Sequence, residues 1–130
     1  MSTPATPLPV LVIEDEPSVI AFITAALERS GYTVAPVASG ANALQLLARG
    51  QYLGVISDIR TPGGVNGGDV HAWISRHRRD LLPRMIFITG DTASEETARL
   101  LKTTGTPCLE KPFRVVDLIA LVEQVFGRPQ

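Results

Sequence analysis

Short apolar runs alternate with amphipathic segments along this chain, and this alternation constrains the fold more than any other feature. The runs predict five strands, at 10–13, 33–37, 53–57, 85–89 and 107–110. Segments with apolar residues at helical spacing follow each run. No hairpin turn links consecutive runs, and parallel strands need crossover helices. The sequence therefore predicts an α/β domain with a five-stranded parallel sheet and five flanking helices.

Capping residues mark the ends of the predicted helices. Pro17 stands where the first helix can begin, and Gly31 ends it. Ser39 can cap the second helix. The segment TASE at 92–95 has the form of a capping box and predicts a fourth helix that runs through Lys102. The third and fifth helices are predicted around 70–77 and over 115–126.

Composition limits the function classes. The chain has 130 residues, of which 45% are hydrophobic, and this suffices for one domain with a buried core. We expect that domain to occupy residues 9–127, with a flexible leader at 1–8 and a short tail at 128–130. The formal net charge is −1. The absence of a basic stripe indicates that nucleic acid is not a partner.

The sequence also bears on the cellular compartment. No apolar run is long enough to span a membrane, and the start, MSTPATPLP, lacks the basic and apolar regions of a secretory signal. Cys108 is the single cysteine, so no intrachain disulfide is expected. These observations favour a cytoplasmic domain without a membrane partner.

Polar residues stand where the predicted strands end. Glu14 and Asp15 follow the first strand, Asp58 the third, Thr89 ends the fourth, and Lys111 follows the fifth. Ligands of open α/β sheets bind outside the carboxyl ends of the strands, so these side chains should meet at one edge. Carboxylate clusters suit Mg²⁺. A metal-neutralised aspartate can attack phosphorus, while a lysine and a hydroxyl bind the phosphoryl oxygens.

Four motifs in order carry a family resemblance: LVIEDEP at 11–17, VISDIRTP at 55–62, IFITG at 86–90 and LEKPF at 109–113. Together they resemble the receiver domain of two-component response regulators, over nearly the whole chain. The resemblance implies a doubly wound, flavodoxin-like (CheY-like) sheet of order 2-1-3-4-5.

The resemblance also implies a role for each site residue. Asp58 matches the phosphoacceptor. Asp15 matches a direct Mg²⁺ ligand, and Glu14 matches a ligand that acts through water. Arg60 stands where the backbone carbonyl completes the metal site in the family. Glu16, beside Pro17, is interpreted instead as a residue of the helix start.

Two further positions match the part of the family site that responds to phosphorylation. Thr89 matches the hydroxyl that binds the phosphoryl group on activation. Lys111 matches the lysine that contacts the same group, and its bond to Pro112 would be cis. Cys108 stands at the switch position, where many receivers carry Tyr or Phe. We therefore expect output to depend on backbone and loop shifts rather than on an aromatic side chain.

The implied function is a signalling switch. It would accept a phosphoryl group from a sensor histidine kinase or a histidine phosphotransfer protein, with Mg²⁺ as cofactor. A downstream protein would bind the face formed by the fourth helix, fifth strand and fifth helix (the α4-β5-α5 face). The chain would catalyse only its own phosphorylation and slow dephosphorylation, so it is not an enzyme in the usual sense.

One departure from the family pattern is a longer loop at 62–68. One extra glycine, at 63 or 64, precedes Val65-Asn66-Gly67, which align with the family's Met-Asp-Gly. The glycines predict a mobile loop beside Asp58.

Other functions remain open at this point. The acidic residues could simply cap a helix. A phosphatase with an aspartyl nucleophile would need a second aspartate where Arg60 stands. A pseudo-receiver would bind partners without phosphorylation, although Asp58 and Lys111 are present. A flavodoxin-like nucleotide binder would need a glycine- or hydroxyl-rich loop after the first strand, where this chain is acidic.

Overall fold

The structure is a computed structural model that describes residues 7–129. Five parallel strands form one sheet in the order β2-β1-β3-β4-β5, as predicted. Helices alternate with the strands along the chain. The elements are β1 (Val10–Ile13), α1 (Pro17–Arg29), β2 (Val34–Val37), α2 (Gly40–Leu47), β3 (Gly54–Asp58), α3 (Gly67–His77), β4 (Met85–Thr89), α4 (Glu95–Thr104), β5 (Cys108–Glu110) and α5 (Val115–Phe126).

The pairing register brings the strand ends to a common edge. Ile13 of β1 lies opposite Ser57 of β3, and Asp58 lies opposite Ile88 of β4. Thr89 in turn lies opposite Glu110 of β5. Because all the strands are parallel, the residues that follow them emerge on the same side, as the sequence indicated.

Two hydrophobic cores cover the two faces of the sheet. Residues of the central strands alternate between them: Val10 and Val12 contribute to one core, and Leu11 and Ile13 to the other. The first core is completed by α1 and α5, and the second by α2 and α3. Every residue of β1 is fully buried, which explains its run of apolar residues without polar alternation.

Two helix starts differ from the sequence prediction. Helix α3 already begins at Gly67, because Asn66 and Asp69 form a reciprocal capping box. The predicted capping box at 92–95 is wrong. Ser94 is the N-cap of α4, and its hydroxyl accepts from the N–H of Thr97.

The carboxyl end of α5 is bonded to residues at the amino ends of the strands, on the side of the sheet opposite the predicted site. Arg84 donates to the carbonyl of Phe126 at 3.0 Å, and the Tyr32 hydroxyl donates to the carbonyl of Gly127 at 2.7 Å. The ring of Phe126 lies against the backbone of Gly54, where a Cβ atom would overlap it. This end of the helix is therefore held by both hydrogen bonds and close packing.

Most of the predicted leader, residues 1–6, and the last residue of the predicted tail lie outside the described residues. Between residues 7 and 129, none of the helices has the length and apolarity needed to cross a bilayer.

Candidate functional site

Lys111 lies at the centre of the polar residues that follow the strands. Its Nζ atom is 2.8 Å from Asp58 Oδ2, 2.9 Å from Glu14 Oε2 and 3.3 Å from Glu16 Oε1. The lysine follows β5, and its peptide bond to Pro112 is cis, as the resemblance implied. One ammonium group therefore contacts three carboxylates, two from the β1–α1 loop and one from the end of β3.

Glu14 is the most buried member of this acidic group, with no exposed surface. Its Oε1 accepts from the N–H of Glu16 at 3.1 Å, whereas no described donor is aligned for a hydrogen bond with Oε2. Burial raises the pKa of Glu14 from 4.5 to about 7, since desolvation outweighs the contacts with Lys111 and the Glu16 N–H. The neighbouring charge of Asp58 raises it further. A lysine shared among three carboxylates thus does not fully compensate for the burial of this one.

The same arrangement affects the lysine. Burial alone would lower the pKa of Lys111, but the hydrogen bond to Asp58, the close contact with Glu14 and the charges of both carboxylates raise it above its ordinary value. Lys111 is therefore a permanent cation at any physiological pH.

Asp58 is the last residue of β3 and is only 6% exposed. Its Oδ1 accepts from the N–H of Arg60 at 3.0 Å, while Lys111 contacts its Oδ2. Gly67 packs beneath it: a Cβ atom at position 67 would lie 2.7 Å from the carbonyl oxygen of Asp58 and 2.8 Å from Cα of Ile59. The glycine therefore lets α3 begin directly against the backbone that carries Asp58.

An open cleft of about 290 Å³ lies in front of these residues. Asp58, Lys111, Thr89 and Arg60 line it, together with Asp15. All the predicted site residues except Glu14 and Cys108 thus border one space, and Glu14 contacts Lys111 from beneath it.

The arrangement of the acidic run differs from the expected one. The three carboxylates whose oxygens lie within 4.8 Å of one another belong to Glu14, Glu16 and Asp58. Asp15, the expected direct ligand, is exposed and lines the cleft outside this group. Glu16 is at the N-cap of α1 but makes no side-chain capping bond, because its carboxylate contacts Lys111.

The residues fit a hard divalent cation. Carboxylate oxygens that converge on an open cleft are the donors Mg²⁺ prefers. The buried Oε2 of Glu14 has its charge only partly compensated, and a second cation would complete that compensation. Lys111 supplies the compensating charge in the present arrangement.

The Thr89 hydroxyl is hydrogen-bonded to Asp91 rather than to Asp58. Its hydroxyl accepts from the N–H of Asp91 at 3.1 Å and lies 3.4 Å from the carbonyl oxygen of Asp91. Asp91 in turn receives the guanidinium of Arg60 at 3.1 Å on Oδ2. Asp91, in the β4–α4 loop, is therefore hydrogen-bonded to both Arg60 and Thr89, whose side chains border the cleft.

Cys108 is half-buried in β5, at the edge of the sheet. Burial raises the pKa of its thiol to about 11, and the charges of Glu110 and Asp58 contribute in the same direction. A thiol of this kind is a packing residue rather than a reactive one.

The glycine-rich loop after β3 has two residues in the left-handed region. Gly63 and Gly64 have φ values of +84° and +82°, with open space around both. The loop is closed by the Thr61 hydroxyl, which donates to the carbonyl of Val65. The insertion thus forms a protruding turn, and its predicted mobility stays a prediction.

Comparison with known proteins identifies the family. A profile described as the response regulator receiver domain matches residues 10–123. The chain belongs to this family. Among curated proteins, this receiver domain is 32% identical over 119 residues to the transcriptional regulatory protein TcrA of Mycobacterium tuberculosis. It is 27% identical over 118 residues to the response regulator SaeR of Staphylococcus aureus. The matches span 92% and 91% of this chain. They span only 46% of TcrA and 50% of SaeR, so the chain corresponds to about half the length of these relatives.

Solved structures give the same result. The receiver domain of the sensor histidine kinase PA1611 from Pseudomonas aeruginosa is 25% identical, with a TM-score of 0.82 over 94% of this chain and 99% of that one. That structure is described with a magnesium ion coordinated in the active-site cleft. The Vibrio cholerae chemotaxis protein CheY4 is 26% identical, with a TM-score of 0.78 over 92% of this chain and 99% of that one.

Sequence reasoning missed two residues of the site. Glu16 was assigned to the helix start, although a third carboxylate in an acidic run was itself a signal. Asp91 gives no comparable signal, because its contacts with Arg60, Thr89 and the two residues before α4 depend on how two loops meet.

Proposed function

We propose that this receiver domain is a phosphoacceptor signalling switch that takes a phosphoryl group onto Asp58 in a Mg²⁺-dependent reaction. The donor would be a phosphohistidine on a sensor histidine kinase or a histidine phosphotransfer protein. The observation that carries the proposal is the setting of the Asp58 carboxylate. It is oriented by the Arg60 N–H and by Lys111, and it borders an open cleft at the end of β3.

The chemistry needs an oriented carboxylate and a nearby cation. A carboxylate oxygen of Asp58 would attack phosphorus as the bond between phosphorus and the histidine nitrogen breaks, with the electron pair of that bond staying on the imidazole. Lys111, 2.8 Å from Oδ2, would then bind a phosphoryl oxygen. The Thr89 hydroxyl would have to leave Asp91 to reach the same group.

The acidic residues would hold the metal. Asp15, Asp58 and the carbonyl of Arg60 are the proposed direct ligands, with Glu14 or Glu16 acting through water. When bound, Mg²⁺ would neutralise the acidic cluster and the oxygens of the incoming phosphoryl group. The magnesium described in the PA1611 receiver supports this cofactor.

A protein donor would need a surface beside the cleft. An apolar depression of about 410 Å³ lies between α1 and the loop after β5, lined in part by Val19, Phe22 and Phe113, and it adjoins Lys111. Phe22 is 40% exposed, and Val115 at the start of α5 is 46% exposed. We assign the donor to this side and the downstream partner to the α4-β5-α5 face.

The chain would act only on itself: it would catalyse its own phosphorylation and slow hydrolysis of the acylphosphate. The test is intact-mass measurement after incubation with Mg²⁺ and a small acylphosphate donor. Wild type should gain one labile phosphoryl group, and Asp58→Asn should gain none. Asp117→Asn, at an exposed ion pair on α5, is the matched control and should be labelled like wild type.

The same assay separates the alternatives. A chain that stays unlabelled while a known receiver is labelled in parallel would be a pseudo-receiver, and the proposal would be wrong. Rapid multiple turnover of an added phosphomonoester would instead indicate a phosphatase with Asp58 as its nucleophile.

A further inference from the structure

Asp91 connects the cleft to the start of α4. Its Oδ2 receives Arg60 at 3.1 Å, and its Oδ1 accepts from the N–H groups of Ala93 and Ser94, both at 3.1 Å. Its own N–H donates to the Thr89 hydroxyl. One residue is therefore bonded to two side chains of the cleft and to the two residues that lead into α4.

Helix α4 depends strongly on this N-terminal segment. Of its ten residues, all within the described part of the chain, only Thr97 is buried. Leu100 and Leu101 pack against the second core from the later turns of the helix, so the bonds before α4 have their largest influence on the position of its amino end.

We propose that Asp91 is a positioning residue that transmits the charge of a phosphoryl group on Asp58 to the first turn of α4. The phosphoryl group and the Asp91 carboxylate compete for the guanidinium of Arg60. The inference rests on the proposed function, because it needs a phosphoryl group at Asp58. It assigns to Asp91 and Arg60 the output that an aromatic residue at position 108 would otherwise carry.

The electrostatics favour this direction of change. A phosphoryl group brings about −1.5 to −2 charges, against −1 for a carboxylate, and binds arginine through two parallel hydrogen bonds. Arg60 and Asp91 are exposed by 67% and 43%, so their ion pair is weak and easily exchanged. Once Arg60 leaves, the Asp91 carboxylate has lost its cation and faces the negatively charged phosphoryl group across the same cleft. Movement of the Thr89 hydroxyl to the phosphoryl group would break its hydrogen bond with the N–H of Asp91 as well.

The alternative is that Asp91 only caps the loop. Asp91→Asn separates these two roles, because the amide oxygen can still accept from Ala93 and Ser94 while the negative charge is lost. If Asp91 only caps the loop, wild type and Asp91→Asn should respond alike to phosphorylation. If the charge of Asp91 carries the signal, the variant would lose most of its response to phosphorylation and keep its basal structure.

The experiment measures amide–water exchange of Ala93 and Ser94 by NMR, with Mg²⁺ and excess small acylphosphate donor, at matched phosphoryl occupancy read from intact mass. In wild type, phosphorylation should raise both exchange rates by about two- to fivefold, the range expected from loss of an exposed ion pair. In Asp91→Asn the induced rise should be much smaller, because only the movement of the Thr89 hydroxyl remains to cause it. In Arg60→Gln the rise in exchange rate should also be smaller than in wild type, because the ion pair with Asp91 is already absent. Arg114→Gln, at an exposed Arg–Asp pair on α5, should respond like wild type.

Two results would overturn the inference alone: an adduct without any change at Ala93 and Ser94 in wild type, or an equal rise in wild type and Asp91→Asn. Absence of the adduct in wild type would refute the proposed function instead, and the inference would fall with it. Intact mass on the same samples distinguishes these cases.

Discussion

Substitution Glu14→Gln tests the electrostatics of the site directly. Glu14 is fully buried, and its pKa is raised from 4.5 to about 7 in the folded protein. The folded state therefore binds a proton more tightly than the unfolded state. Stability from this group is fully present below pH 4.5 and is lost as the pH rises through about 7. Glutamine has no such dependence, so the variant should become relatively more stable as the pH rises.

The size of the effect follows from the shift. Between pH 5 and pH 8 the two pKa values correspond to a change of about 2–3 kcal/mol in the stability difference between variant and wild type. Lys111 stays protonated throughout this range, so it does not cancel the effect.

The assay is urea denaturation at pH 5 and pH 8 with a chelator present. With the usual urea slopes of about 1–3 kcal/mol per molar, the midpoint difference should change by about 1–3 M in favour of Glu14→Gln. Glu16→Gln is the matched control, because it removes a carboxylate from the same lysine but at a side chain that is 58% exposed. It therefore controls for the loss of one carboxylate beside Lys111 without the loss of a buried one.

A constant difference between Glu14→Gln and wild type from pH 5 to pH 8 would refute the reasoning. It would mean that Lys111 fully compensates for the burial of the carboxylate. Saturating Mg²⁺ at pH 8 should remove much of the advantage of the variant, since a bound cation favours the ionised glutamate.

Three further predictions concern neighbouring residues. Gly67→Ala should lower the free energy of unfolding by about 1–3 kcal/mol and weaken Mg²⁺ binding, because the added Cβ would overlap the backbone of Asp58. Denaturation and metal titration measure the two effects. Gly68→Ala is the control and should be nearly neutral in both, because a Cβ at position 68 would meet only side chains. The thiol of Cys108 should react with iodoacetamide about a hundredfold more slowly at pH 8 than a thiol with the ordinary pKa of 9.0, and alkylation as fast as in the unfolded chain would contradict its raised pKa of about 11. Lys111→Met should lower the free energy of unfolding by about 3–5 kcal/mol without Mg²⁺, because buried Glu14 loses its cation, and by less with Mg²⁺; equal losses in the two denaturation series would exclude charge compensation as the cause.

The sheet was predictable because its determinants are local. Each strand is an apolar run, and counting along the sequence gives the residue that ends it, so the sequence alone puts Asp58 and Thr89 at the carboxyl ends of their strands. The Ser39 cap was equally local, and its side chain accepts from the N–H of Asn42 as expected.

The direction of side chains beyond the strand ends was not predictable. In the acidic run, the turn between β1 and α1 decides which carboxylates face Lys111, and it selects Glu14 and Glu16. The start of α4 was misplaced because Asp91, rather than Thr92, accepts from the amides before the helix. The Thr92 hydroxyl instead donates to Glu110, a partner 18 residues away in sequence. Such contacts depend on loop geometry that local patterns do not encode.

The packing of Phe126 on Gly54 has a consequence for protein engineering. Receiver domains are natural candidates for chimeras in which one helix is exchanged to change the partner. Here α5 and the first residue of β3 share one volume, because the ring occupies the space of a missing Cβ. A sheet with a larger residue at position 54 would accept this helix only if position 126 carried a smaller side chain, so the two sites must be transplanted together.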